Sequence, residues 1–151
     1  VENAEEANQR LSEKHNSFIA EDSGKFRVIA AVARAKDAEK LASEFNASGV
    51  AFVKHSAIID RIDLCNEEII ESIEALMQVY ETLQDGQVVS VNTQELKKWS
   101  SELKAPENNS KNILILEELN NYIKALPEEI KKEQRIELLK FMYSIIVKFK
   151  A

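Results

Sequence analysis

The stretch IIDRIDLCNEEIIESIEALMQVYETL, residues 58–83, decides how the chain is read. Advanced at about 100° per residue, it separates into two faces. Ile58, Ile59, Ile62, Cys65, Ile69, Ile70, Ile73, Leu76, Met77, Tyr80 and Leu83 share one side. Asp60, Asp63, Glu67, Glu71, Glu74, Gln78 and Glu81 share the other. The adjacent pairs Ile58-Ile59 and Ile69-Ile70 break the alternation that a strand requires. Neither Gly nor Pro interrupts the run. The expectation is a long amphipathic helix with a broad apolar face packed on other helices.

Upstream, residues 25–45 place Val28, Ala31, Val32, Ala35, Ala38, Ala42 and Phe45 on one stripe. Carrying one helical phase through Asn46-Ala47-Ser48-Gly49 would set this stripe opposite the apolar face of the central stretch. A break near Ser48-Gly49 with reversal removes the conflict. The central helix then runs from about Val50 to Gln84, with Phe52 and His55 on its apolar face. Residues 2–20 carry a thinner stripe of Ala4, Ala7, Leu11, His15, Phe18 and Ile19, and Glu21-Asp22-Ser23-Gly24 reads as a turn.

Downstream, Gly86 is expected to act as a left-handed cap. Val88-Val89-Ser90-Val91 has strand character without an evident partner, so a short extended connector is expected. Asn92 with Glu95 resembles a capping box opening a short helix to Leu103. Helices over 112–126 and from Pro127 onward follow, Pro127 taking the first-turn position and Lys148 and Lys150 the last turn. The fold class expected is all-α: one domain over residues 1–151, an antiparallel bundle of five to six helices around the long central one.

Composition narrows the function. Hydrophobic residues make up 44% and charged residues 30%, proportions of a folded domain rather than a disordered one. The net charge of −6 argues against a nucleic-acid partner, whose phosphates require a basic surface. No apolar run reaches the roughly 18–20 residues of a membrane span. The single cysteine, Cys65, permits no internal disulfide and lies on the apolar face, where an inert thiol is expected. A start at Val1 suits a trimmed chain and an exported mature domain alike, so a soluble protein of the cytoplasm or of an exported compartment is expected. Asn46-Ala47-Ser48 and Asn108-Asn109-Ser110 match the glycosylation pattern and are read as coincidence.

The motifs that carry chemistry are missing. Ser12 and Phe52 stand three residues before His15 and His55, where a di-iron bundle places Glu. An up-down-up bundle would also put the two histidines at opposite ends. No metal and no cofactor are therefore expected. Gly-rich phosphate loops and a Gly-x-Ser-x-Gly elbow are absent. Lys140, Lys148 and Lys150 on the last helix read as the polar border of a core face rather than a membrane surface.

The expected function is thus a non-enzymatic protein-interaction or structural module. Its candidate partner surface is the acidic ridge Asp63, Glu67, Glu71, Glu74 and Glu81, with Trp99 as a possible anchor. The alternative is a small-ligand or cofactor-binding bundle with His15 or His55 lining a pocket, an exported periplasmic or lipoprotein-derived domain being one form of it.

Overall fold

The structure, a computed structural model, describes residues 1–104, 106 and 110–149. The Asn108 acceptor site and Lys150 lie outside them. In chain order the elements are α1 (Glu2–Ser12), β1 (Phe18–Asp22), β2 (Lys25–Ile29), α2 (Ala35–Ala47), α3 (Leu64–Gln84), β3 (Ser90–Asn92), α4 (Gln94–Ser101), α5 (Ile113–Ala125), β4 (Glu129–Lys131) and α6 (Arg135–Ile146). Short 3-10 turns occupy Lys132–Gln134 and Val147–Phe149. Among the described residues this makes six α-helices and two antiparallel two-stranded sheets. The chain is mixed α/β, which corrects the all-α bundle.

Along α3, α5 and α6 the core follows the expected apolar faces. Ile69, Leu76 and Leu83 of α3 are completely buried, as are Leu119 and Ile123 of α5 and Leu139, Met142 and Ile145 of α6. Each such side chain contributes roughly 1.5–3 kcal/mol on leaving water. Both ends of α3 are capped. Asp63 Oδ1 accepts the Asn66 N–H at 2.8 Å, which satisfies a first-turn donor that has no partner inside the helix. At the other end the Arg135 guanidinium donates to the Leu83 carbonyl at 3.4 Å, placing a cation where the helix dipole favours one.

The central helix does not reach back to Val50. It starts at Leu64, and residues 50–62 form no regular element. Ile58 and Ile62, assigned by periodicity to the core, are 76% and 67% exposed. The break at Ser48-Gly49 is present, and it is a Schellman ending of α2. Val50 N–H donates to the Phe45 carbonyl and Gly49 N–H to that of Asn46, both at 3.0 Å, with Gly49 at φ +72°. Gly86 has no positive φ; Asp85 ends α3 in extended conformation instead.

Two expected helices each contain a strand. Residues 2–20 split into α1 and β1, and residues 25–45 into β2 and α2. The turn at Ser23-Gly24 joins β1 to β2 in register, Asp22 opposite Lys25 and Phe18 opposite Ile29. Ser23 and Gly24 both have positive φ, 53° and 73°, the mark of a type I′ hairpin turn that matches the twist of paired strands. Phe18 anchors the hairpin in the core, edge-on to Tyr143 with ring centroids 5.6 Å apart. The alanine stripe of α2 meets no core, and no α2 residue is buried.

The stretch around Val91 is also a strand. β3 pairs with β4, setting Val91 opposite Ile130, which is 2% exposed. Pro127 therefore introduces a strand rather than a helix, and α6 begins at Arg135. The buried Thr93 hydroxyl fastens this joint, donating to the Pro127 carbonyl at 2.6 Å and lying 3.2 Å from that of Glu128.

Candidate functional site

α3 is buried on most of its circumference, which leaves a narrow solvent stripe. Leu64, Glu67, Glu71, Gln78 and Glu81 are exposed and Glu74 is half-buried. Spacings of three and four residues align them along one edge of the helix. The expected acidic ridge exists, but its members differ in what they face.

Asp63 is a cap rather than a free carboxylate. Besides holding the Asn66 N–H, its Oδ2 accepts the Ser110 hydroxyl at 3.1 Å. At the far end Arg34 lies over the ridge, 3.8 Å from Glu81 and 2.6 Å from Asp37 of α2, with Glu74 also acting on its charge. Glu67 and Glu71 remain, without an ion-pair partner among the described residues. Trp99 sits half-buried on α4, away from α3 in the chain, and packs with that helix toward α5.

Behind Asp63 lies a polar cluster that the periodicity did not reveal. Asn66, 3% exposed, donates through Nδ2 to the Asp60 carbonyl at 2.7 Å and accepts from Asn112 Nδ2 at 2.7 Å. One amide thus joins the approach to α3, α3 itself and the start of α5. Glu68 is 4% exposed, and Lys104, through its backbone N–H and its charge, acts on the carboxyl in favour of the ionised form. Burial, with the neighbouring Glu71 adding to it, pushes the Glu68 carboxyl above its ordinary 4.5. Cys65 is 1% exposed, and burial pushes its thiol up as well, away from nucleophilic form.

Glu68 makes stability depend on pH with a definite sign. Its folded pKa lies above the unfolded one, so between the two values the folded chain holds more protons. This contribution is fully present below pH 4.5 and is lost as pH rises through the folded pKa. Glu68→Gln keeps the size and the amide oxygen of the side chain and removes the titration. The variant is expected to melt higher than the unsubstituted chain at pH 7, the gap closing toward pH 4. A gap constant across that range, followed by thermal melts, would show that Glu68 is not the group responsible.

Neither histidine stands where a cofactor pocket would need it. His15 packs on Phe45 at 5.1 Å between ring centroids, and Phe45 on Phe52 at 5.8 Å. That chain of rings leads to the segment carrying His55, whose Nε2 receives Arg27 Nη1 at 3.0 Å. His15 and the His55 segment are thus linked through Phe45 and Phe52 and do not stand at opposite ends of a bundle. Two shallow cavities measure about 200 and 240 Å³, lined by Tyr122, Pro127 and Glu137 in one and by Ile58, Ile62, Lys111 and Phe149 in the other. Both fall below the roughly 300–1,000 Å³ of ordinary ligand sites. Burial, with Glu137 adding to it, pushes the Tyr122 phenol up to about 12, so it stays protonated at neutral pH. Among the described residues no group of three His, Cys, Asp or Glu is placed to hold a metal.

Comparison with protein-family models, with curated proteins and with solved structures found no match. No described helix is long and apolar enough to cross a membrane.

Proposed function

We propose that the chain is a non-enzymatic protein-interaction module whose solvent stripe on α3 receives a basic segment of a partner. One observation carries this reading: among the described residues Glu67 and Glu71 have no ion-pair partner, while the other carboxylates of the ridge face Arg34 or cap the helix. The two are one helical turn apart, about 6 Å along the axis. Lysines or arginines at the same interval on a partner helix would meet both at once. Leu64, 40% exposed at the head of the stripe, gives such a helix an apolar contact beside the charges. The ridge therefore suits an amphipathic cationic segment better than a diffuse cation atmosphere.

The probe is a fluorescein-labelled synthetic helix of repeated Leu-Lys-Lys-Leu, with a Leu-Glu-Glu-Leu helix as control, followed by anisotropy. Saturable binding of the cationic helix is expected, weakening with added salt as exposed charges are screened. The double variant Glu67→Lys/Glu71→Lys is expected to lose roughly tenfold or more in affinity, since attraction turns to repulsion at both sites. Its circular dichroism should stay unchanged, because both side chains are exposed. Equal binding by the variant would remove the ridge as the contact surface.

A further inference from the structure

The shallow cavity of about 200 Å³ lies where the end of α5, β4 and the first turn of α6 meet. Its lining is mainly apolar: Leu126, Ile130 and Leu138, all buried, with Pro127 beside them. The volume is too small for a ligand of ordinary size. It is enough for a compact one, since a cavity of roughly 150 Å³ takes up a molecule the size of benzene. The aromatic part of the wall is fixed, because the Tyr122 ring stacks on Phe141 with 3.5 Å between centroids and 5° between planes.

The charge at this apolar lining is negative. Among the described residues that form it, Glu137 alone is charged, and its carboxylate acts on the Tyr122 phenol. That phenol stays protonated, and its oxygen makes no hydrogen bond to the protein among the described residues. The end of α5 adds to the same sign. Of the last four carbonyls of this helix, that of Ile123 receives the Leu126 N–H at 3.2 Å, and Pro127 has no N–H to offer the others. Open carbonyls at a helix C-terminus amount to about half a negative charge, and Ala125 and Leu126 bring that end to the cavity. A carboxylate, a helix C-terminus and an aromatic ring each attract a cation.

We infer that this cavity binds a small organic cation: a primary ammonium carried on a short apolar body. The body lies on Leu126, Ile130 and Leu138, and the ammonium meets the Glu137 carboxylate and the Tyr122 oxygen. Lys140 bonds Glu137 at 3.1 Å, but the two side chains are 47% and 68% exposed. An exposed pair of this sort is weak, so a second ammonium competes for the carboxylate. A neutral or anionic molecule of the same shape gains nothing from the charge. The inference stands apart from the acidic stripe on α3, because it uses none of that stripe's residues.

Titration of the whole nitrogen-15-labelled chain with benzylammonium at pH 7 tests it, benzyl alcohol and benzoate serving as neutral and anionic counterparts. Saturable amide shifts centred on residues 122–126 and 130–138 are expected, with a Kd on the order of millimolar. The alcohol and benzoate are expected not to saturate over the same range. Glu137→Gln is expected to weaken binding roughly fivefold or more. Lys140→Gln removes the competing ammonium and leaves binding equal or tighter. Ala125→Leu crowds the opening and lowers affinity. All three positions are exposed, so the fold tolerates the changes. Equal binding of benzyl alcohol, or an affinity indifferent to Glu137→Gln, overturns the inference. So does the absence of saturable shifts at these residues up to about 50 mM benzylammonium.

Discussion

Replacing Leu76 by alanine is expected to destabilise the chain by roughly 2–5 kcal/mol, while Ile62→Ala shifts stability by no more than about 0.5 kcal/mol. The two residues lie on the same face of any continuous helix through both, so helical phase alone treats them alike. Their surroundings differ. Leu76 is completely buried beneath α5 and α6, and its removal leaves a cavity whose walls relax only in part. Ile62 is 67% exposed and leaves no cavity. Urea unfolding followed by circular dichroism reads both, as shifts in midpoint at constant slope. A loss of 2 kcal/mol or more for Ile62→Ala would mean that the helix does begin near Val50.

Thr93→Val is expected to cost roughly 1–3 kcal/mol, because the swap keeps the volume and deletes a buried donor. The Thr93 hydroxyl is the donor for the Pro127 carbonyl at 2.6 Å, and water does not reach the site. The Glu128 carbonyl is spared, since it keeps the Thr93 backbone N–H at 2.9 Å. Thr93→Ser retains the hydroxyl and loses a methyl, about 0.8 kcal/mol of transfer free energy. Valine should therefore be the worse of the two in the same unfolding assay. Serine equal to or worse than valine would show that packing, not the hydrogen bond, holds the β3–β4 joint to the start of α4.

What was legible in the residues follows the length of each element. α3 over Leu64–Gln84 and α5 over Ile113–Ala125 complete several turns each, so their apolar positions repeat often enough to identify a helix. β1 and β2 have five residues apiece, and β3 and β4 have three. Over so short a run Phe18-Ile19-Ala20 fits a helix face as well as a strand. The turn at Ser23-Gly24 was visible, yet Ser-Gly between two apolar runs is also a hairpin signal, and that second meaning identifies β1 and β2. Val91 and Ile130 are the single apolar pair at the middle of their sheet, and no local pattern joins residues so far apart. Pro127 suits a helix start and a strand entry equally, and tertiary pairing decides between them.

The candidate surface was legible in part. The line of carboxylates on α3 follows directly from helical spacing, and Glu67 and Glu71 are exposed and, among the described residues, without an ion-pair partner. That Asp63 caps the helix had a local signal: an aspartate immediately before the apolar run. That Arg34 covers the Glu81 end did not, because it reaches α3 from the segment preceding α2. Buried Asn66 and Glu68 escaped as well. Their partners, Asn112 and Lys104, are supplied by chain far downstream, and a polar residue at a helical position carries no mark of burial by itself.

Carbon-13 Cα secondary shifts across residues 50–84 test the arrangement most directly. They distinguish helical from non-helical chain residue by residue. Helical shifts are expected to begin at Leu64 and persist to Gln84, with non-helical values over residues 51–62. Unbroken helical shifts from Val50 onward would contradict it.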